Sequence, residues 1–372
     1  MKKLLAILLA ILMVFSLTAC GGNNDDSADD GSDEGEKIYK VAVLLPFIGD
    51  QSYFDTIEKG RKTADAKYDN VETRLIEVGD TTDEAPWMQA LDEVCEDGEY
   101  DLVVSCNGNY EAYLYEAARK YPDQMFLNCD TTNPEEVDNC LSVNFGLDDL
   151  GYVVGALSAK ITKTGKVGVV VGMDNQGMNQ FISGYVQVLA AQGVQYAISY
   201  PNSFTDTALG YEAANTMINK GVDVIWQVAG GLGNGVIEAC SEHDDVWCVG
   251  VDQDQYVQFE ESKPEWAKTI ITSALKNTDI VLETAIDMLV EGTLKDHMGK
   301  VETWGIKENG VGLAENDFYK ANVSEEVRAE IASILQEVAD GKVEVYDCKL
   351  GEESQDTYTA NWPAIRDANI IK

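Results

Sequence analysis

Short runs of apolar and β-branched residues recur along this chain at intervals of roughly thirty residues, and they constrain its fold more than any other feature. Amphipathic segments with helical spacing lie between them. This alternation is typical of parallel β-α-β units, in which each helix returns the chain to the start of the next strand. The predicted strands are 41–45, 74–78, 102–105, 125–129, 167–171, 194–200, 222–228 and 246–251, and the predicted helices are 57–68, 87–96, 110–120, 181–192 and 209–220.

The β-α alternation occurs twice, with a break near residues 144–161. The roughly 335 residues after position 37 exceed the size at which one core keeps growing. We therefore predict an α/β protein with two doubly wound parallel-sheet lobes. A strand near 269–274 is expected to return Lys276 to the hinge. This arrangement gives a hinge of three crossings and two discontinuous lobes, 38–145 with 270–298 and 146–266 with 299–345, followed by a C-terminal extension at 346–372.

The loops after the predicted strands are rich in polar, aromatic and glycine residues. In doubly wound sheets, ligands bind beyond the carboxyl ends of the strands, where these loops lie. Two such edges that face each other form a cleft, so the sequence predicts a ligand site between the lobes. The loops concerned are 49–55, 106–109, 130–132, 172–174, 204–206, 229–235 and 252–255.

The chain is strongly acidic, with 65 Asp and Glu residues against 27 Lys and Arg and a formal charge of −38. Nucleic acid and anionic lipid headgroups are poor partners for such a surface. Residues 21–37 carry several carboxylates but no aromatic or branched apolar side chain. Such a segment buries too little surface to offset its ordering entropy, so we expect a disordered tether.

The N-terminus resembles a bacterial lipoprotein signal. Lys2 and Lys3 precede an apolar run at 4–17, and Ala19 is a small residue before Cys20. The run is shorter than the ~20 residues of a membrane-spanning helix. We expect residues 1–19 to be removed and Cys20, at the start of the 20–37 tether, to carry lipid on its sulfur. The protein would then lie on the extracytoplasmic face of the cell membrane. A plain secretory signal or a signal anchor is the alternative.

Seven cysteines follow Cys20 at scattered positions. Their odd number and spacing do not form a disulfide framework, and no Cys-x-x-Cys pair suggests a metal or redox site. Several lie in apolar runs, where a buried thiol behaves as a small hydrophobe. We therefore predict buried free thiols, with a Cys129–Cys140 bridge left open.

Catalytic motifs are lacking in the sequence. His243 and His297 are its two histidines, and neither lies in a catalytic pattern. The glycines at 230–235 lack the dinucleotide-binding spacing, and no phosphate-binding loop follows them. The acidic pair in 252–254 lacks the further oxygen ligands of a calcium loop. We expect a protein that is not an enzyme and that uses no cofactor and no metal.

Several segments in this order resemble the basic membrane protein family of substrate-binding lipoproteins, which includes purine-nucleoside receptors of ABC transporters. The strongest are 228–233 (Val-Ala-Gly-Gly-Leu-Gly), 250–255 (Gly-Val-Asp-Gln-Asp-Gln) and 273–277 (Ser-Ala-Leu-Lys-Asn). The resemblance runs from about 41 to 342. It implies a fold like that of type I periplasmic binding proteins. It also implies a small-molecule ligand, expected to be a purine nucleoside, with ABC permease subunits as partners, and we expect a monomer.

The resemblance also implies roles for particular residues. Two aromatic rings would sandwich the base, one from Tyr53 with Phe54 beside it and one from Phe204. The ribose would be held by Asp252 and Lys276. The Lys276 ammonium would keep the Asp252 carboxylate ionised and donate to a hydroxyl or ring oxygen. The remaining expected contacts are a carboxylate at the base edge, backbone amides near two glycines and loop residues, namely Asp130, Gly230, Gly231, Asp50, Ser52 and Met173.

Two departures from the family pattern leave the ligand open. Phe54 stands where many relatives carry Asn, and the first strand ends in an apolar segment at 45–47 instead of a polar pair. Both make the entrance of the pocket more apolar. A receptor of the same fold for another heterocycle such as a flavin, or a sensor with a different membrane partner, is the alternative, because function is carried by the site and not by the fold.

Overall fold

The computed structural model describes residues 37–106, 108–346, 362, 364 and 366–371. The predicted signal peptide, Cys20 and nearly all of the predicted tether lie outside the described residues, as does Cys348 with most of the C-terminal extension. The described residues from Ile38 onward form one compact unit. None of the helices within the described ranges combines the length and the apolar character that a bilayer crossing requires.

Two six-stranded sheets form the framework, and all of their strand pairs are parallel except one. The first sheet has the order β11-β5-β4-β3-β1-β2, and the second has the order β12-β10-β9-β8-β6-β7, with β12 antiparallel to β10. The strands are β1 (Tyr39–Leu45), β2 (Val71–Glu77), β3 (Leu102–Ser105), β4 (Met125–Asn128), β5 (Cys140–Phe145), β6 (Lys166–Val171), β7 (Gln195–Ser199), β8 (Val224–Val228), β9 (Trp247–Asp252), β10 (Ile270–Lys276), β11 (Val301–Trp304) and β12 (Val311–Leu313).

Helices pack around each sheet and define two lobes. Lobe one contains the first sheet with α1 (Tyr53–Lys67), α2 (Glu84–Glu96), α3 (Glu111–Lys120) and α10 (Thr278–Glu291). Lobe two contains the second sheet with α4 (Leu147–Ile161), α5 (Gln176–Ala191), α6 (Thr207–Ile218), α7 (Gly233–Ser241), α8 (Gln255–Phe259), α9 (Pro264–Ala267), α11 (Asp317–Asn322) and α12 (Glu325–Ala339). The predicted α/β class with two parallel-sheet lobes is confirmed.

The chain passes between the two sheets three times. The passages follow β5, β10 and β11, at residues 146, 277 and 305–310. The predicted lobe boundaries at 270 and 299 are wrong, because β10 pairs with β9 in the second sheet and β11 pairs with β5 in the first. Each of these strands joins the sheet of the lobe opposite to the one predicted. Strand pairing near the hinge joins residues that are far apart in the chain, so the local hydrophobic pattern does not predict it.

The predicted strands and helices are close to the observed ones where hydrophobic periodicity is clear. Strand 102–105 is reproduced in full, whereas α5 begins at Gln176 instead of residue 181. Its first turn carries polar residues, and it is capped by Asn175, whose side chain accepts the N–H of Met178 at 3.0 Å. Helix α4 was not predicted. It occupies most of residues 144–161, where the sequence indicated a break in the β-α alternation. It is buried on most of its surface, so it lacks the polar face that marks an amphipathic helix.

The cysteine prediction is corrected for one pair. Cys106 and Cys129 form a disulfide with their Cα atoms 5.0 Å apart. The sheet register brings these two cysteines together. Ser105 and Asn128 are opposite each other on β3 and β4, and Cys106 and Cys129 are the residues that follow them. Cys140 is a free buried thiol, as are Cys95, Cys240 and Cys248.

Candidate ligand-binding cleft

A cavity of about 610 Å³ lies where the loops of the two sheets meet. Its wall is formed by residues of both lobes, because the carboxyl ends of both sets of parallel strands face it. Ten of the eleven residues predicted for ligand contact line this cavity. They are Asp50, Tyr53, Phe54, Asp130, Met173, Phe204, Gly230, Gly231, Asp252 and Lys276.

Ser52 is the predicted residue that does not line the cavity. Its side chain is fully buried, and its hydroxyl donates a hydrogen bond to Oδ2 of Asp252 at 2.5 Å. Ser52 precedes α1 in lobe one, whereas Asp252 ends β9 in lobe two. Ser52 therefore joins the lobes and orients Asp252 instead of facing the cavity.

The ammonium of Lys276 pairs with Asp130, not with Asp252 as expected. Its Nζ lies 2.6 Å from Oδ2 of Asp130, and both side chains are almost entirely buried. The same Oδ2 accepts a hydrogen bond from the Tyr53 hydroxyl at 2.8 Å. In the β9–β10 register Asp252 is opposite Leu275, and side chains alternate between the faces of a strand. Lys276 is therefore one residue further along β10 than the position opposite Asp252.

Asp252 is a buried carboxylate without a full counter-charge. Burial raises the pKa of Asp252 to about 6, although the Ser52 hydroxyl and the Lys276 ammonium lower it. Its backbone has φ +66°, a conformation in which Asn and Asp are tolerated better than most residues. Asp252 and Asp130 each retain an Oδ1 that accepts no hydrogen bond from the described residues. The cavity therefore offers two carboxylate acceptors.

The carboxylate of Asp50, unlike those of Asp130 and Asp252, accepts its hydrogen bonds from backbone N–H groups. It accepts the N–H groups of Ser52, Phe54 and Asp55 at 3.0, 3.0 and 3.2 Å, at the start of α1. Burial raises the pKa of Asp50, and these three hydrogen bonds oppose the rise. Asp50 lies at the cavity wall, but its main contacts fix the loop that precedes Tyr53.

Aromatic rings line the cavity from both lobes. In lobe one, Phe54 packs edge-on against Phe47 and Tyr53, with ring centroids 5.0 and 5.2 Å apart. In lobe two, the Phe204 ring lies against Gly172, where a Cβ atom would overlap it. Burial is the main reason that the pKa of Tyr53 is well above its usual value, so the phenol keeps its proton and donates to Asp130.

The lobes are closed on each other in this structure. Besides the Ser52–Asp252 and Asp130–Lys276 contacts, Gln255 Nε2 donates to the carbonyl of Gln51 at 3.3 Å. Asn234 Nδ2 donates to the carbonyl of Asp50 at 3.4 Å. Each of these hydrogen bonds joins a loop of lobe one to lobe two.

Part of the site was missed in the sequence. The apolar wall includes Leu147, Met178 and Phe181, which come from the helices α4 and α5. Asn133 extends the predicted loop 130–132 after β4. Leu147 lay in the predicted break and Met178 outside any predicted helix, whereas Phe181 was placed in the predicted helix 181–192. Periodicity does not tell a core face from a cleft face.

A closed cleft between two parallel-sheet lobes defines a solute-binding protein of the periplasmic type. The family of ABC transporter substrate-binding proteins described as PnrA-like matches residues 38–344. The chain belongs to this family, the Bmp family, and the predicted resemblance is confirmed. It is a substrate-binding protein of an ABC transporter and not an enzyme.

Individual relatives agree with this assignment. The chain is 27% identical to the CD4+ T-cell-stimulating antigen of Listeria innocua, over 92% of this chain and 98% of that protein. It is 29% identical to the ABC transporter nucleoside-binding protein BmpA of Lactococcus lactis, over 66% and 71%. An ABC transporter solute-binding protein of Aeropyrum pernix has a similar structure, with a TM-score of 0.73 and 25% identity over 88% and 98%. A D-allose complex from Actinobacillus succinogenes shares the fold, with a TM-score of 0.60 and 12% identity over 76% and 99%.

Proposed function

We propose that the cleft binds a purine nucleoside and presents it to a permease. The observation that carries this proposal is the pair of Oδ1 atoms on Asp130 and Asp252, beside the aromatic rings of Tyr53 and Phe204. Carboxylate oxygens accept from ribose hydroxyls and base N–H groups, and an aromatic ring stacks on a base. The name of the Lactococcus lactis relative supports the same ligand class.

The charge of the wall favours an uncharged ligand. Asp50, Asp80, Asp130 and Asp252 line the cavity, and Lys276 is the lysine among the lining residues. Its ammonium is already paired with Asp130. A phosphate would meet like charges in a poorly solvated site, so a nucleoside should be preferred to its monophosphate.

We expect adenosine or guanosine to bind more tightly than the matching 2′,3′-dideoxynucleoside by about 1.5 to 3 kcal/mol, the range for a hydrogen bond to a charged group. The corresponding 5′-monophosphate should bind more weakly than the nucleoside. Isothermal titration calorimetry at pH 7.5 measures all three affinities. Equal affinity for the nucleoside and its dideoxy analogue would show that Asp252 does not bind the ribose hydroxyls.

Phe204→Ala is the matched control for this comparison. It removes a stacking surface worth about 1 to 3 kcal/mol for the nucleoside and the dideoxy analogue alike, so the ratio of their affinities should stay constant. If neither purine nucleoside binds, mass spectrometry of the ligand retained through gentle purification would identify the true ligand, including a flavin or other heterocycle.

Ligand binding is proposed to stabilise the closed form. Contacts to Tyr53 and Asp130 on lobe one and to Phe204 and Asp252 on lobe two are satisfied together only when the cleft is shut. The ligand then shifts the population towards that form, which the permease recognises. Moving the closed fraction from 1% to 99% requires about 5.5 kcal/mol of preference for the closed state.

Lipid attachment through Cys20 is proposed to hold the protein at the extracytoplasmic face of the membrane. The chain is related to proteins named as lipoproteins, including one from Pyrococcus abyssi that is 28% identical over 86% of this chain. We expect Cys20→Ala to release the protein from the membrane, because the thiol that takes the lipid is gone. Phase partitioning in detergent measures this, and equal partitioning of variant and wild type would contradict it.

A further inference from the structure

Glu111 is a buried carboxylate outside the predicted site. It is the first residue of α3, and 5% of its surface is exposed. No ion pair to Glu111 is formed within the described parts of the chain. Instead, its two oxygens accept five hydrogen bonds, all from the three residues that follow Asp130 along the chain.

The five hydrogen bonds hold both the backbone and the side chains of loop 131–133. Oε2 accepts the Thr131 hydroxyl at 2.7 Å and the Thr132 N–H at 2.9 Å. Oε1 accepts the Thr132 hydroxyl at 3.1 Å, the Asn133 N–H at 2.9 Å and the Asn133 side-chain amide at 3.0 Å. An ionised carboxylate is the side chain that accepts hydrogen bonds on all its lone pairs and donates none.

The loop is fixed on its other side by the sheet. Cys129, the residue before Asp130, is joined to Cys106 by the disulfide. The N–H of Asp130 donates to Oδ1 of Asn128 at 3.3 Å, and the N–H of Thr131 donates to the Val143 carbonyl at 2.8 Å. Asp130 therefore lies between a covalent anchor and the loop that Glu111 holds.

The same loop also reaches the opposite lobe. Thr132 lies so close to Gly177 of α5 that a Cβ on this glycine would come within 2.9 Å of the threonine methyl. The Thr132 hydroxyl is bound to Glu111, so the methyl has a fixed direction. The loop thus carries both a cavity carboxylate and a contact surface for the closed lobe.

We infer that Glu111 is a positioning residue of the ligand site, which acts on ligand binding through Asp130 and its loop without touching the ligand. This inference rests on the proposed nucleoside function for its affinity measurement. Replacing Glu111 by Gln keeps the size of the side chain but presents an NH₂ group to the donors of Thr132 or Asn133. A donor facing a donor cannot be satisfied, so the loop must shift.

The experiment compares Glu111→Gln with Glu116→Gln, an exposed glutamate on the same helix that loses the same charge. We expect Glu111→Gln to weaken guanosine or adenosine binding about tenfold or more, the scale on which neighbouring residues couple, and Glu116→Gln to leave it unchanged. In an Asp130→Asn background the effect of Glu111→Gln should fall to about threefold or less, because Glu111 acts through Asp130.

Hydrogen exchange provides a measurement that needs no ligand. The amides of Thr132 and Asn133 donate to Glu111, so they should exchange faster in Glu111→Gln while amides of β3 and β4 keep their rates. Should Glu111→Gln fail to fold, Thr131→Val removes one of the five hydrogen bonds with little change of shape and should show a smaller loss of affinity.

Two results would overturn the inference. The first is a folded Glu111→Gln protein with wild-type affinity and unchanged exchange at Thr132 and Asn133. The second is an equal loss of affinity in the wild-type and Asp130→Asn backgrounds, which would indicate a general structural effect. If wild-type protein binds no purine nucleoside, the proposed function fails, whereas the exchange measurement still decides the role of Glu111.

Discussion

Asp252→Asn is expected to stabilise the ligand-free protein at neutral pH while it weakens ligand binding. Burial raises the pKa of Asp252 to about 6 from an ordinary value of 3.8. The native state therefore holds more protons than the unfolded state between these values, and the free energy of unfolding falls as pH rises from about 4 to about 6. Above pH 6 the buried charge costs on the order of 3 kcal/mol, which the neutral amide avoids.

Asn suits this position for two further reasons. Its side-chain carbonyl can still accept the Ser52 hydroxyl, and it tolerates the φ of +66° better than Ala would. Ligand binding should nevertheless weaken by about 1.5 to 3 kcal/mol, because the amide oxygen is taken by Ser52 and the NH₂ group in place of Oδ1 cannot accept from a ribose hydroxyl. A residue that destabilises the empty protein but serves its ligand is typical of a binding site.

Thermal unfolding of wild type and Asp252→Asn at pH 5 and pH 7.5 measures this effect. The difference in midpoint should be largest at pH 7.5 and about half as large at pH 5, because at pH 5 the unfolded chain has already released the proton that the native carboxyl still holds. Asp244→Asn is the matched control, because this carboxylate is exposed on lobe two and should change the midpoint little at either pH. A lower midpoint for Asp252→Asn at pH 7.5 would contradict the assignment of a buried, costly charge.

Lys276→Met is expected to destabilise the protein by about 3 to 5 kcal/mol, the cost of leaving a buried charge without its partner. Asp130 would lose the ammonium 2.6 Å away, in a cavity wall that already contains Asp50 and Asp252. Adding Asp130→Asn should restore part of the stability, because it removes the unpaired charge. It should not restore wild-type affinity for the ligand, since the Asp130 carboxylate acceptor is also gone.

Chemical denaturation of the single and double variants measures these differences. Lys163→Met is the control, because the Lys163–Asp245 pair has side chains that are 68% and 86% exposed. Exposed pairs contribute about 0 to 1 kcal/mol, so this variant should be nearly as stable as wild type. If Lys276→Met is no less stable than Lys163→Met, the buried pair does not hold the lobes together.

Local sequence patterns predicted most of the first sheet and the position of the cleft. Strand 102–105 was predicted to the residue, because a continuous β-branched run between turn residues is a local signal. The position of the cleft was predictable for a related reason. Parallel strands end at the same edge of a sheet, so the loops after β1, β4, β6, β7, β8 and β9 were expected to face one cleft. The family resemblance implied roles for individual residues, and ten of the predicted residues line one cavity.

Tertiary structure alone decided which of these residues bond to each other. Lys276 pairs with Asp130, Ser52 with Asp252 and Cys129 with Cys106. Each pairing depends on strand register or on contact between lobes, and a one-residue change of register moves a side chain to the other face. The sequence by itself determined that this is a two-lobed α/β binding protein with an acidic, aromatic cleft. The closure of the lobes and the sheet register decided how its charges are paired, because those contacts join residues that lie far apart in the chain.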